Sequence, residues 1–253
     1  MSARVRDALP SDAKAMAEIA EAKRQHYADH AFPFQRPATN GESIHAAFLP
    51  KLIEWDGFIV LVHESHPDRV DGFIVARVGS APPPFGEGAL FHVDDFALTS
   101  ADYWPTLGGK LLREVARRAA AADAETGIVV SGPASIDRAK TDFLTKQGFV
   151  VEAEWWVKLI DASAGMTARE SDRFEAVVGP APPVYDPGGP TCLALRIDGP
   201  EVLEEFEAFA QASGSVIAII PTRTTHTDLR DALPRRGYTV ASEWYAAPLS
   251  AIV

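Results

Sequence analysis

Residues 90–112 read LFHVDDFALTSADYWPTLGGKLL. The stretch predicts a strand over 91–98, a loop over 99–106 with Pro105 as a breaker, and a helix opening at 107–110. Leu107, Leu111, Leu112 and Val115 recur at helical spacing. Backbone amides at a helix start point outward without partners, and with the helix dipole they favour a phosphate or another anion. Gly108 and Gly109 carry no Cβ, so a ligand can approach that backbone closely. Strand alternation puts His92, Asp94 and Phe96 on one face and Val93, Asp95 and Ala97 on the other. A central strand buried on both faces normally reads as a continuous apolar run. Charges at His92, Asp94 and Asp95 are therefore costly unless they are paired or face a cleft. His92 and Asp94 suit a base with its orienting carboxylate, since imidazole titrates near neutrality. They equally suit a structural hydrogen-bonded pair at the wet end of a sheet. Asp95 becomes the cleft-facing group instead if a bulge shifts the alternation.

Upstream, residues 3–8 form a short strand candidate, and Pro10-Ser11-Asp12 marks a turn and a helix start. The helix over 13–27 is apolar at Met16, Ile19 and Ala20. After a loop over 32–37 comes a second helix, 42–55, with Ile44, Phe48, Leu52 and Trp55 along one side. Residues 57–63 and 70–78 read as an antiparallel hairpin with its turn at 65–68, and 81–86 as a rigid proline-rich connection. Downstream, the helix from 107 runs to about 124. A strand over 127–131 follows, then a helix from 135 or 136 to 146, closed by Gly148, and a strand over 149–160.

The last third repeats this wording. Gly148-Phe149-Val150-Val151-Glu152-Ala153-Glu154-Trp155-Trp156 lines up with Gly237-Tyr238-Thr239-Val240-Ala241-Ser242-Glu243-Trp244-Tyr245. Strands over 191–197, 216–220 and 238–246, with helices over 200–212 and 227–235, mirror the order from 91 to 160. The expected organisation is a domain over 1–165, a turn-rich, semi-rigid linker over 166–190, and a degenerate αβ half-domain over 191–253. The half-domain starts its helix straight after Asp198-Gly199-Pro200, without a long glycine-bearing loop, and reads as having lost ligand binding. Packing on the first domain's sheet, shaping its pocket and mediating a homodimer are the roles open to it.

Hydrophobic residues make up 47% of the 253 and charged residues 23%, which suits a folded chain with a substantial core. One cysteine, Cys192, leaves no material for an internal disulfide or a cysteine-based metal cluster, and it fits a reducing cytoplasm. The start, MSARVRDALPSDAK, has no apolar run of signal-peptide length, and no stretch approaches the roughly 18 apolar residues of a membrane span. A net charge of −11 argues against nucleic acid as the main partner. His26 and His30 stand one helical turn apart, but no third ligand accompanies them, so no metal is expected.

The order β-α-α-β-β-β-α-β-α-β, with its acidic strand and glycine-opened helix, resembles the GNAT superfamily of N-acetyltransferases. That family's pyrophosphate loop, Gln/Arg-x-x-Gly-x-Gly/Ala, lies in register with Tyr103-Trp104-Pro105-Thr106-Leu107-Gly108, which keeps only the last glycine. Its last helix, Asn-x-x-Ala-x-x-Phe-Tyr-x-x-x-Gly-Phe, lies on residues 137–149. There Phe143, Gly148 and Phe149 match, Asp137 replaces Asn and Leu144 replaces Tyr. The resemblance implies an α/β (α+β) fold with a mixed, largely antiparallel central sheet flanked by helices. It implies transfer of an acetyl group from acetyl-CoA to a primary amine of a small molecule or peptide. The pantetheine arm would lie along the backbone of Phe96, Ala97 and Leu98. The pyrophosphate would sit on the amides of Thr106, Leu107, Gly108, Gly109 and Lys110, with Lys110 as an extra cation and Asp137 in the cofactor-binding set. The family's Tyr protonates the departing thiolate. Leu144 cannot, so that acid is absent or supplied elsewhere, and Tyr103 is a candidate. Glu154, beside Trp155 and Trp156, is an alternate base, although its recurrence as Glu243-Trp244 favours a structural role. The competing class is a non-catalytic acyl-CoA-binding or protein-interaction module on the same scaffold.

Overall fold

The computed structural model describes residues 4–30, 33–66, 69–80, 89–161 and 171–252. Its elements are β1 (Arg4–Asp7), α1 (Ala13–His30), α2 (Gly41–Ile53), β2 (Phe58–His66), β3 (Arg69–Ser80), β4 (Ala89–Leu98), α3 (Gly109–Ala120), β5 (Thr126–Ser131), α4 (Arg138–Lys146) and β6 (Val150–Leu159). They continue with β7 (Phe174–Gly179), β8 (Thr191–Ile197), α5 (Leu203–Ala212), β9 (Ile217–Arg223), α6 (Thr227–Arg235) and β10 (Thr239–Pro248). This is the expected mixed α/β architecture. The expected connection at 81–86, residues 67 and 68 of the expected turn, and residue 32 all lie outside the described residues.

The ten strands among the described residues join one sheet in the order β1-β2-β3-β4-β5-β10-β6-β9-β8-β7. Neighbours are antiparallel except β4 with β5 and β8 with β9. Around the central β10–β6 pair the order reads alike from both sides. β4-β5-β10 on one side answers β8-β9-β6 on the other. At the centre Glu243 stands directly opposite Glu154. The last strand of the chain therefore separates β5 from β6. Gly148 and Gly237 both take φ +83°, the left-handed conformation that ends α4 and α6 and turns the chain into β6 and β10.

Helices cover both faces. Met16, Ala17 and Ala20 of α1, with Leu49 and Leu52 of α2, pack on Val60, Val62, Phe73 and Val75. On the opposite face Leu111, Leu112 and Val115 of α3, with Phe143 and Leu144 of α4, pack on Ile74, Phe91, Val93 and Phe96. Phe206, Leu229 and Leu233 of α5 and α6 pack on Trp156, Ala218 and Ile220.

Three local expectations change. The stripe expected to bury α2 turns outward: Ile44, Phe48 and Trp55 are exposed, and Leu49 and Leu52 make the contact. The 166–190 stretch contains β7, which pairs with β8. The loop expected over 99–106 is already helical, with a 3₁₀ turn at Ala101–Tyr103 and a π turn at Trp104–Gly108 running into α3. Ser100 Oγ accepts from the Asp102 amide at 3.3 Å and caps the run. Pro105 sits in its first turn, where a missing N–H costs nothing, so it starts the helix rather than breaking it.

Candidate active site

The ladder between β4 and β5 holds only over 90–93 against 126–129. Beyond it β4 runs on along β3, and β5 along β10, so the two parallel strands diverge and open a wedge through the sheet. The facing strand edges lack ladder partners there, and buried backbone groups of that kind call for one.

A bulge aims the side chains. Val75 pairs with Asp95 and Ala76 with Val93, which leaves Asp94 as the extra residue. His92, Asp94 and Asp95 consequently all line one cavity of about 380 Å³, against the strict alternation that would separate Asp95 from the other two. His92 Nδ1 lies 2.9 Å from Asp94 Oδ1, and Asp94 accepts from Arg77 Nε at 3.1 Å. The His92 ring stacks on Trp244 of β10, with centroids 5.3 Å apart. His92 Nε2 is buried with no hydrogen-bond partner. With Nδ1–H donating to Asp94, Nε2 carries the lone pair. Asp95 forms an ion pair with Lys23 of α1. Burial works to raise the Asp95 carboxyl, but Lys23 and His45 outweigh it and hold the group below the usual carboxylate range.

A second cavity, about 270 Å³, lies at the end of β4 against Ala97, Leu98, Ser100, Ala101, Trp104 and Asp137. The two cavities share Lys23, Tyr27 and Phe96. The Tyr27 hydroxyl donates to Asp137 Oδ2 at 2.5 Å and accepts from the Gly132 amide at 3.3 Å. Burial, then the Asp137 charge, push this phenol well above its ordinary pKa. Lys140 of α4 enters the larger cavity from the opposite face of the sheet. Its Nζ donates to the Val130 carbonyl at 2.8 Å, one residue past the end of the β4–β5 ladder. It lies 5.8 Å from the Phe96 ring centroid and 5.5 Å from that of Trp104.

Of the residues singled out in the sequence, His92, Asp94, Asp95 and Phe96 meet in the larger cavity, and Phe96, Ala97, Leu98 and Asp137 in the smaller. Thr106, Leu107, Gly108, Gly109 and Lys110 line neither. The Gly109 N–H is already bonded to the carbonyls of Thr106 and Trp104. A Cβ on Gly108 would come 2.9 Å from the Trp104 ring, so that glycine serves close packing. Tyr103 also lies outside both cavities. Glu154 faces the helix side, where its carboxylate takes Arg230 Nε and Nη2, each at 2.8 Å, and Trp156 Nε1 at 3.0 Å. Those bonds occupy it, so it is not placed to act as a base. Leu144 is fully buried in the core.

Lys23, Tyr27, Lys140 and Trp244 were not foreseen. Lys140 left a signal: a charged residue on the same helical stripe as Phe143 and Leu144, where the family's pattern has Ala. The others reach the site only through pairing distant in sequence. Among the described residues no group of three His, Cys, Asp or Glu side chains is placed to hold a metal. No described helix is long and apolar enough to cross a membrane.

No family model and no curated sequence matches the chain. Solved structures do. A Pyrococcus horikoshii protein provisionally classed as an acetyltransferase superposes with a TM-score of 0.57 at 14% identity, over 98% of this chain and 90% of its own. A conserved Enterococcus faecalis V583 protein of unknown function, provisionally classed as an N-acyltransferase, gives 0.52 at 10% identity, over 99% and 74%. PaiA N-acetyltransferase from Thermoplasma acidophilum, solved with coenzyme A, gives 0.46 at 16% identity, over 60% and 92%. At these identities the likeness establishes the fold alone, which this chain shares over nearly its whole length with the Pyrococcus and Enterococcus proteins.

Proposed function

We propose that the chain is an acyltransferase that moves an acetyl group from acetyl-CoA to a primary amine of a small molecule or peptide, with His92 as the base. The observation that carries this reading is the His92 dyad. One ring nitrogen is held by Asp94, the other is buried without a hydrogen-bond partner, and the residue lines a cavity. Such a nitrogen takes a proton from a substrate ammonium, and the freed amine attacks the thioester carbonyl. Asp94, steadied by Arg77, is the positioning residue. Asp95 is the weaker candidate because Lys23 occupies it.

The wedge suits the donor. The edge of β4 at Phe96, Ala97 and Leu98 faces no ladder partner on the β5 side, and an extended amide-bearing arm can supply one. The cavity at the end of that edge leads on to the capped helix start at Ser100–Ala101, where the diphosphate would be met. Trp155, Trp244 and Tyr185 line the other cavity beside the carboxylates, a setting that accepts an ammonium through cation–π contact. We further infer that residues 191–253 repeat 91–160. The mirrored strand order and the Glu154–Glu243 pair support this, and Ser242 and Trp244 bring the second copy into the first copy's cavity.

Calorimetric titration with acetyl-CoA, followed by thiol release across a panel of amines, tests the reading. His92→Gln should keep the acetyl-CoA affinity and lose about 10²–10⁴-fold in kcat. Wild-type protein that binds no acetyl-CoA would leave only a protein-interaction scaffold. Binding without turnover of any amine would favour the acyl-CoA-binding module, the reading that the burial of Leu144 supports.

A further inference from the structure

We propose that Lys140 is the acid of this site, its ammonium protonating the thiolate that leaves when the acetyl–sulfur bond breaks. The inference rests on the acetyl-CoA reading above. Position is the first support. Lys140 and Leu144 stand one turn apart on the same face of α4. Leu144 is sealed in the core, whereas the longer Lys140 side chain reaches through the wedge into the cavity.

Its bonding is the second support. One ammonium N–H is held by the Val130 carbonyl, and among the described residues no carboxylate lies within ion-pair distance. An ammonium has three donors, so two are left for a ligand in the wedge. The carbonyl fixes the nitrogen beside the divergence of β4 and β5, where the arm carrying the thioester would lie.

Electrostatics agree. Burial lowers the lysine to about 8, Asp137 and Asp95 work to raise it, and Lys23 works to lower it further. Tyr27 of α1, His92 of β4 and Tyr185 also face this space. An alkyl thiol such as free cysteine titrates at about 8.5, so an ammonium held near 8 can give its proton to a leaving alkanethiolate. Tyr27 is the poorer donor, since its proton is already given to Asp137 and burial holds its phenol high.

His92 takes one proton from the substrate ammonium, and the amine forms a C–N bond to the thioester carbon. The tetrahedral adduct collapses, the C–S bond breaks, and its electron pair takes the Lys140 proton to give CoASH. The amide nitrogen loses its second proton to solvent. Lys140 regains a proton from solvent, and His92 releases its own.

The test reads the thiol of bound CoA by the ultraviolet absorbance of its thiolate, with desulfo-CoA as the control ligand. In wild type the bound thiol should ionise about one pH unit below free CoA, because the ammonium favours the thiolate. In Lys140→Met it should ionise at or above the free value, with desulfo-CoA affinity unchanged. Lys140→Arg should keep the wild-type ionisation yet lose about 10²-fold or more in thiol release, since a guanidinium does not give up its proton. It also guards against misfolding of the methionine variant. Equal thiol ionisation in wild type and Lys140→Met overturns the proposal, as does tighter desulfo-CoA binding by that variant, which would make Lys140 a plug. Wild type that binds neither ligand overturns the acetyl-CoA reading as well. Wild type that binds CoA with an unshifted thiol overturns the lysine alone.

Discussion

Lys140 carries its charge in an unfolded chain up to about pH 10.5 but gives up its proton at about 8 in the fold, because burial penalises the ammonium. Below 8 both states are protonated and the full cost of the buried charge is present. Between about 8 and 10.5 the unfolded chain binds more protons than the native one, so stability rises with pH. The shift corresponds to roughly 3 kcal/mol. Lys140→Met removes that cost but leaves the Val130 carbonyl without its donor. The variant's stability relative to wild type should therefore fall by about 2–3 kcal/mol between pH 7 and pH 10, read by urea unfolding at both. A difference that stays flat would mean that the lysine does not titrate in this window. The residue scale also shows what the sequence offers and withholds. His92, Asp94 and Asp95 on β4 are conspicuous because polar, ionisable groups in a central strand need a reason, and the fold brings all three side chains to one cavity. Lys23 and Tyr27 look like ordinary surface residues of α1 until the strand beneath them is known.

At the scale of elements, β4 and β5 must approach closely before they part. Phe91 pairs across the parallel ladder with Gly127, and a Cβ there would collide with the Phe91 ring. Gly127→Ala should cost about 1–3 kcal/mol by overpacking, and thermal unfolding should show it, with Phe91→Leu in the same chain recovering part of the loss. On the helix side, the Arg230–Glu154 pair ties α6 to β6. Arg230→Met would leave a buried carboxylate beside Glu243, whose own carboxyl is raised by burial and then by Glu154. A loss of about 1–3 kcal/mol is expected, since Arg230 is partly exposed, with acetyl-CoA affinity unchanged because this pair lies away from both cavities. Most elements were legible from spacing and punctuation, including the hairpin, the closing glycines and the two last helices. The start of the α3 run was not, because Pro105 suits a first helical turn as well as a break, and only the Ser100 cap decides between them. The stripe of α2 misled for a related reason: apolar periodicity gives a helix a face but not the direction in which that face turns.

At the scale of the whole molecule the matching wording of 148–156 and 237–245 was readable, but where the second stretch would pair was not. Nothing local states whether a strand pairs with its neighbour in sequence or with a distant one. Register and partner are set by long-range contacts and by which faces find a core. In the fold β10 lies against β5, and β6 lies against β9. Trp244 then stacks on both His92 and Trp155, with centroids 5.3 and 5.2 Å away, and part of the site's wall comes from the far end of the chain. A chain ending at residue 161 loses the strand between β5 and β6 and exposes both edges, together with the cluster of Leu90, Ile128 and Ala153 that Trp244 covers. Expressed alone, residues 1–161 should show no cooperative unfolding in urea and no acetyl-CoA binding. Supplying residues 171–253 as a separate polypeptide should restore both, because the missing strands carry their own helices, α5 and α6. A stable fragment 1–161 that binds acetyl-CoA as the full chain does would mean that β6 can close onto β5 by itself, and that β10 is an addition to the site rather than part of its wall.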